Sequence, residues 1–212
     1  IGTGHRENED EQVLELALWV DGRKVERPES PVSCQSIRLE KKSRIRALVL
    51  STSIEVADGR ITEDVRLKAD TPTPVKLIYH FMHPWTATAT EYLAELPDGK
   101  RVEGPFVGDR GMRIDKPTRW SAIYDGPSGK GAVSLVLAAP DEDGRTRYWD
   151  ITGRYRKHYF VTFLQKTVPA DREFHYRMVT VPFAAPAAAW KEEAARIATR
   201  SKSRDPGARL SF

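Results

Sequence analysis

The segment Thr71-Pro72-Thr73-Pro74-Val75-Lys76-Leu77-Ile78-Tyr79-His80-Phe81-Met82-His83-Pro84-Trp85 sets two histidines and a tryptophan where an apolar run meets a proline-broken loop. Histidine gives or takes a proton near neutral pH, and tryptophan offers a flat apolar face on which a sugar ring can stack. The two types together suit a sugar pocket. A metal reading of the His-x-x-His spacing, with Glu91 as a third ligand, is disfavoured on an extended strand. There Ile78, His80 and Met82 share one face, while Tyr79, Phe81 and His83 share the other, so the two rings point apart. No metal is expected. Histidines that hydrogen-bond at a sheet edge account for the same residues equally well. Arg113, in Asp109-Arg110-Gly111-Met112-Arg113, and Trp120, in the run Arg119 to Asp125, add a guanidinium and an aromatic. They suit a uronic acid or sulfated sugar through charge-assisted hydrogen bonds. A surface loop leading into a core strand anchored by Trp120 explains them as well. Tyr148, Trp149, Tyr155, His158 and Tyr159, interleaved with Arg154, Arg156 and Lys157, read as sheet core and rim, with a ligand platform as the alternative.

The elements that carry these residues are mostly strands. Val13 to Val20 is apolar and β-prone, and Asp21-Gly22 supplies a tight turn, predicting a hairpin over about Val13 to Val25. Strand-sized blocks follow at Ser36 to Glu40, Ile45 to Ser51 and Ile54 to Val56. Across the second Asp-Gly pair, Asp58-Gly59, Ile61, Glu63, Val65 and Leu67 alternate with Thr62, Asp64, Arg66 and Lys68, the pattern of a half-exposed strand. Val75 to Phe81 reads as one continuous strand. Further strands are expected at Tyr92 to Leu96, Arg101 to Val102, Trp120 to Tyr124, Val133 to Ala138, Tyr148 to Ile151, Tyr159 to Lys166 and Phe174 to Val181. Gly126 to Gly131 lacks the spacing and following helix of a phosphate loop and reads as a hairpin turn. Only the end looks helical: Pro186 suits a first helical position, and Ala187, Trp190, Ala194 and Ile197 recur at three- and four-residue spacing. Residues 1–12 are read as a disordered lead-in, 13–183 as one β-sandwich domain, and 184–212 as a C-terminal helix with a basic tail. The absence of βαβ alternation excludes a doubly wound fold.

Composition narrows the function classes. Of 212 residues, 40% are hydrophobic and 30% charged, which predicts a packed core rather than disorder. The longest apolar run, Ala132 to Ala139, is broken by Ser134 and falls far short of a membrane helix. The single cysteine, Cys34, excludes an internal disulfide, and no Cys/His cluster has zinc-finger spacing. The net charge of +4 arises from 34 basic and 30 acidic residues that mostly intermingle. The basic excess of the C-terminal tail (Arg196, Arg200, Lys202, Arg204, Arg209) comes without a base-stacking or groove-binding motif, so no nucleic-acid partner is expected. Residue 1 is Ile rather than Met, so an upstream segment, a signal peptide included, is expected to be missing; a periplasmic or secreted location is favoured over a cytoplasmic one.

Two stretches carry a resemblance. Ser51 to Trp85, with a strand, Asp58-Gly59, a second strand, Thr73-Pro74-Val75 and then His80, resembles the middle of galactose mutarotase (aldose 1-epimerase) sequences. In those, a hairpin is followed by a Pro-Val strand ending in a histidine near an aromatic. Thr162 to Phe183, with Pro169-Ala170-Asp171-Arg172-Glu173 between two strands, resembles the final hairpin of the same supersandwiches. The resemblance implies an all-β fold, a two-sheet antiparallel supersandwich with one C-terminal helix. It also implies that His80 takes the place of the general acid on the ring oxygen; in an enzyme version Glu91, outside the resembling stretches, is the conceivable base. His83, Trp85, Arg113 and Trp120 are then the substrate-binding candidates. The sequence departs from the family in having no upstream Asn-x-x-His-Gly-Gly segment and no late glutamate in a matching context. An epimerase without its base cannot open the sugar ring by the family mechanism. The expected function is therefore carbohydrate binding or processing, as an accessory domain of a larger protein, with no cofactor. The alternatives are an aldose epimerase using His80, and a structural or protein-partner module working through a sheet edge or the terminal helix.

Overall fold

The computed structural model describes residues 11–26, 31–140, 144–151 and 153–204, and the backbone of 209–210. Of the expected lead-in over residues 1–12, residues 1–10 lie outside them, and Gln12 already belongs to the first strand. Asp21-Gly22 and Asp58-Gly59 take paired positive φ angles (47° and 76°, 51° and 69°), the conformation that a two-residue hairpin with matched twist requires. They join β1 (Gln12–Val20) to β2 (Arg23–Val25), and β4 (Leu48–Ala57) to β5 (Arg60–Ala69), with β3 (Ser36–Ile45) between the two hairpins. The blocks Ile45 to Ser51 and Ile54 to Val56 are parts of a single strand rather than two. Polar Thr52 and Ser53 interrupt the apolar pattern but not the hydrogen-bond ladder to β3 and β5.

Along the rest of the chain come β6 (Thr73–Val75), β7 (Ile78–Thr86), β8 (Glu91–Glu95), β9 (Arg101–Pro105), β10 (Met112–Lys116), β11 (Trp120–Asp125) and β12 (Lys130–Ala139). They are followed by β13 (Arg145–Ile151), β14 (Tyr155–Thr162), β15 (Lys166–Val168), β16 (Glu173–Ala184), α1 (Trp190–Ser203) and β17 (Arg209–Leu210). The large sheet runs β2-β1-β3-β4-β5-β16-β12-β11-β8-β9, with β17 joining β12 in parallel; the small sheet runs β10-β13-β14-β7. The expected continuous strand from Val75 breaks at Lys76-Leu77, and its first part, β6, leaves the small sheet to form a two-stranded ribbon with β15.

The sheets pack face to face around a core that includes Leu48, Leu67, Ile78, Phe160, Phe174 and Tyr176. Each such side chain contributes about 1.5–3 kcal/mol on leaving water. The predicted alternation of β5 holds: Glu63, Val65 and Leu67 are buried toward the small sheet, while Arg66 and Lys68 are exposed. The other face of the large sheet is covered at one end by α1, whose Trp190, Ala194, Ile197 and Ala198 pack on Leu93, Trp120, Leu135 and Val179. The helix begins at Trp190 rather than beside Pro186. Ala185 is already committed, its N–H to the Gly129 carbonyl and its carbonyl to the Tyr124 hydroxyl, so the chain turns once before it coils.

Candidate functional site

β7 does not alternate as an ideal strand. Its register against β14 shifts between the pairs His83–His158 and His80–Phe160, and Phe81 sits at φ 54°. This bulge inserts one residue between the histidines and resets which face each side chain takes. His80 and His83 therefore point the same way, into the space between the sheets, and not apart as an unbroken strand would place them. His80 stacks on Tyr176 of β16 (centroids 4.2 Å) and its Nε2 meets Thr162 Oγ1 at 3.2 Å. His83 Nε2 lies 2.8 Å from Glu63 Oε2, and its ring stands 5.5 Å from both Trp85 and His158. His158, which the sequence reading left in the core and rim patch, stacks on Tyr148 at 4.7 Å. The result is a polar seam of three histidines and a glutamate inside the sandwich.

Two rings of this seam are closed to substrate. His80 is 5% exposed and His158 1%. Burial lowers the His80 pKa to about 3 and holds that of His158 well below the ordinary range, the charge of His83 adding to the second effect. A ring that stays neutral to about pH 3 has no imidazolium proton to give a sugar oxygen at neutral pH. Stability responds in a defined direction. The unfolded chain binds a proton on His80 near pH 6.5, whereas the folded chain refuses it until about 3. The contribution is whole above about 6.5 and is lost as pH falls between those values, by up to ~1.4 kcal/mol per pH unit for each such histidine. Urea unfolding at pH 7, 6 and 5, where carboxylates remain mostly ionised, is expected to show that decline; equal midpoints across the series would contradict it.

The other candidates are dispersed. Glu91 shares a face of β8 with Leu93, which packs against α1, and Lys191 of that helix approaches Glu91 at 4.0 Å and Glu103 at 3.1 Å. Tyr92, one residue on, belongs to the cluster between the sheets with Phe106 and Tyr148. The thickness of the large sheet thus separates Glu91 from His80, and the pair does not meet as acid and base. Trp85 lies against the inter-sheet cluster and Trp120 against the helix, so the two rings do not flank one ligand. Arg113 is occupied: its Nη2 donates to Asp150 Oδ2 at 3.1 Å and to Asp109. Asp150 also accepts from Arg156 and, at 2.6 Å, from the Gly108 N–H. Among the described residues no group of histidine, cysteine and carboxylate side chains is placed to hold a metal ion, and no helix is long and apolar enough to cross a membrane.

What the structure does form is an open cleft of about 690 Å³ between the C-terminal half of α1 and strands β8, β9, β11 and β12. Trp120, Leu135, Leu137, Ala195 and Ala198 make its floor and one wall. Arg101, Arg119, Lys202 and Glu95 rim it with the hydroxyls of Thr199 and Ser203. Glu95 is partly engaged by Arg119 at 3.6 Å, which leaves the rim net positive. Trp120 is 5% exposed and supplies floor rather than a free stacking face. Of this site the sequence reading held Arg119 and Trp120 in one candidate run and met Lys202 only as part of the basic tail. The rim residues stand on β8, β9, α1 and the loop before β11, and only the pairing of β8 with β9 and β11 brings Glu95 beside Arg101 and Trp120.

Two packed antiparallel sheets, with a C-terminal helix laid on the outer face of the larger, make this fold the galactose mutarotase-like supersandwich that the Ser51 to Trp85 resemblance implies. Among solved structures the chain superposes on the GH36 α-galactosidase of Geobacillus stearothermophilus over 85% of its length, with a TM-score of 0.54 at 9% identity. A variant of that enzyme in complex with stachyose gives 0.51 at 10% identity. The chain spans 29% of the length of those α-galactosidase chains. A candidate aldose 1-epimerase of Escherichia coli K12 matches 74% of this chain and 68% of its own, with a TM-score of 0.46 at 10% identity. No family model matches the chain, and neither does any curated protein. Likeness at such identities is one of fold.

Proposed function

We propose that the chain is a non-catalytic carbohydrate-binding domain of a larger carbohydrate-active protein, and that the cleft beside α1 is its sugar site. The cleft carries the reading: its volume of about 690 Å³ lies within the range of small-ligand sites, and it joins an apolar floor to a few convergent polar groups. Three cations against one carboxylate favour a sugar bearing carboxylate or sulfate groups, which guanidinium forks bind through charge-assisted hydrogen bonds. The separation of His80 from Glu91 and the neutrality of His80 weigh against the epimerase alternative. The α-galactosidase that shares the fold has been captured with stachyose, which supports a carbohydrate context for the domain.

Calorimetric titration with neutral oligosaccharides, uronic acids and sulfated sugars tests the reading. An acidic sugar is expected to bind, more weakly as salt rises, and Arg119→Ala or Lys202→Ala is expected to reduce affinity about tenfold or more, as the loss of a charge-assisted hydrogen bond does. Trp85→Ala is expected to leave binding intact. Failure of every sugar to bind would remove the carbohydrate reading, and binding lost in Trp85→Ala alone would move the site between the sheets.

A further inference from the structure

In β13 the side chains alternate between the two faces of the small sheet. Tyr148 and Asp150 point inward and are 0% exposed, whereas Trp149 between them faces outward and is 36% exposed. Among the described residues it is the only aromatic side chain that stands exposed. The indole is fixed: its Nε1 donates to the Arg110 carbonyl at 2.8 Å. That loop is held in turn by Asp150, whose carboxylate accepts from the Gly108 N–H and whose own N–H donates to the Gly111 carbonyl at 3.0 Å. With its one donor engaged, the ring offers a ligand only apolar surface. Register sets Met112 of β10 beside it on one side, and Lys157 of β14 followed by Pro84 of β7 on the other. Met112 is 41% exposed and Pro84 is exposed as well, so one outward row crosses all four strands, a span of about 14 Å.

We infer that this row is a second sugar contact, on the face of the sandwich opposite the cleft, where a ring of an acidic oligosaccharide lies flat on Trp149. The inference rests on the carbohydrate reading of the domain. Charge and size select the occupant. The four strands of the small sheet and loop 107–111 carry seven arginines and lysines against three carboxylates. All three carboxylates are engaged within the chain: Asp150 by Arg113 and Arg156, Asp109 by Arg113, and Asp115 by Arg147 at 2.8 Å. Arg110, next to the indole in space through its carbonyl, is exposed, and Lys157 is the cross-strand neighbour of Trp149. The surround is therefore positive and complements carboxylate or sulfate groups. Three apolar side chains with a lysine among them fall far short of the roughly 20–30 residues that a protein partner covers, and interface cores are poor in charge. They match one small ring with an apolar face and an anionic rim.

The test is calorimetric titration of the full chain with a galacturonic acid trisaccharide, beside the neutral galactose trisaccharide as control. Two binding events per chain are expected with the acidic sugar. Trp149→Ala is expected to abolish one of them and leave the other, and Arg119→Ala in the cleft is expected to do the reverse. Met112→Glu sets a like charge beside the indole at a side chain already open to solvent, and is expected to abolish the same event as Trp149→Ala without moving the urea midpoint. An event that survives Arg119→Ala and vanishes in Trp149→Ala would uphold this contact even if the cleft proves empty. A single event lost in Arg119→Ala and untouched by Trp149→Ala and Met112→Glu would overturn it and leave the cleft standing. Absence of any binding would overturn both.

Discussion

Asp150→Ala is expected to cost about 3–5 kcal/mol of folding stability, the range for removing one partner from a buried ionic network. Asp150 is 0% exposed and gathers two guanidiniums, from Arg113 and Arg156, and the Gly108 N–H around one carboxylate. Arg156 is itself buried; its Nε donates to the Ala89 carbonyl at 3.2 Å and its guanidinium lies 5.2 Å from the Phe106 ring centre. Alanine at 150 would leave that cation in a dry site without its counter-charge and would free the loop that Gly108 anchors. Asp109, which meets Arg113 from the solvent side with half its side chain exposed, provides the contrast. Asp109→Ala is expected to leave the unfolding midpoint close to that of the parent, because exposed ion pairs contribute little. Urea unfolding at neutral pH distinguishes the two positions. Equal and small losses would mean that the network merely accompanies the packing, and would return Arg113 to the pool of residues available to a ligand.

That network also shows which parts of the molecule a sequence reveals. The alternation in Ile61 to Lys68, the Asp-Gly turns and the periodicity of Ala194 and Ile197 are local properties of the chain, and strands, hairpins and a helix follow from them directly. The sandwich follows as well, since repeated half-apolar strands must cover one another. The site obeys no such local rule. Phe81 is a β-former with no sign that it will occupy positive φ, yet its bulge decides that His80 and His83 share a face. Arg113 looks available until Asp150, 37 positions away, is folded onto it. The sidedness of Glu91 depends on where α1 lands, and the cleft rim depends on the order of strands in a sheet. Residue types announced sugar chemistry in Trp85 and the histidines, whereas strand order assembled the cleft around Arg101, Arg119 and Lys202.

Trp190→Ala is expected to cost about 3–5 kcal/mol and to abolish the proposed sugar site with it. The indole is 1% exposed and stacks on Tyr124 with centroids 5.0 Å apart and rings parallel to within 1°. Truncating a buried tryptophan leaves a cavity that rigid strands cannot close, which places it at the severe end of core substitutions. The functional consequence follows from the length of α1. A helix of 14 residues is marginal in water by itself, so it owes its order to the face it docks. Released from Tyr124, the helix would fray, and Ala195, Ala198, Thr199 and Lys202 would leave the cleft they line. The variant is expected to lose ellipticity at 222 nm, unfold at lower urea concentration and fail to bind the acidic sugar. Lys202→Ala, by contrast, should weaken binding while leaving the helix and the unfolding midpoint in place. Retention of both helicity and binding in Trp190→Ala would mean that Ala194, Ile197 and Ala198 suffice to dock the helix, and that the cleft does not depend on the Trp190 indole.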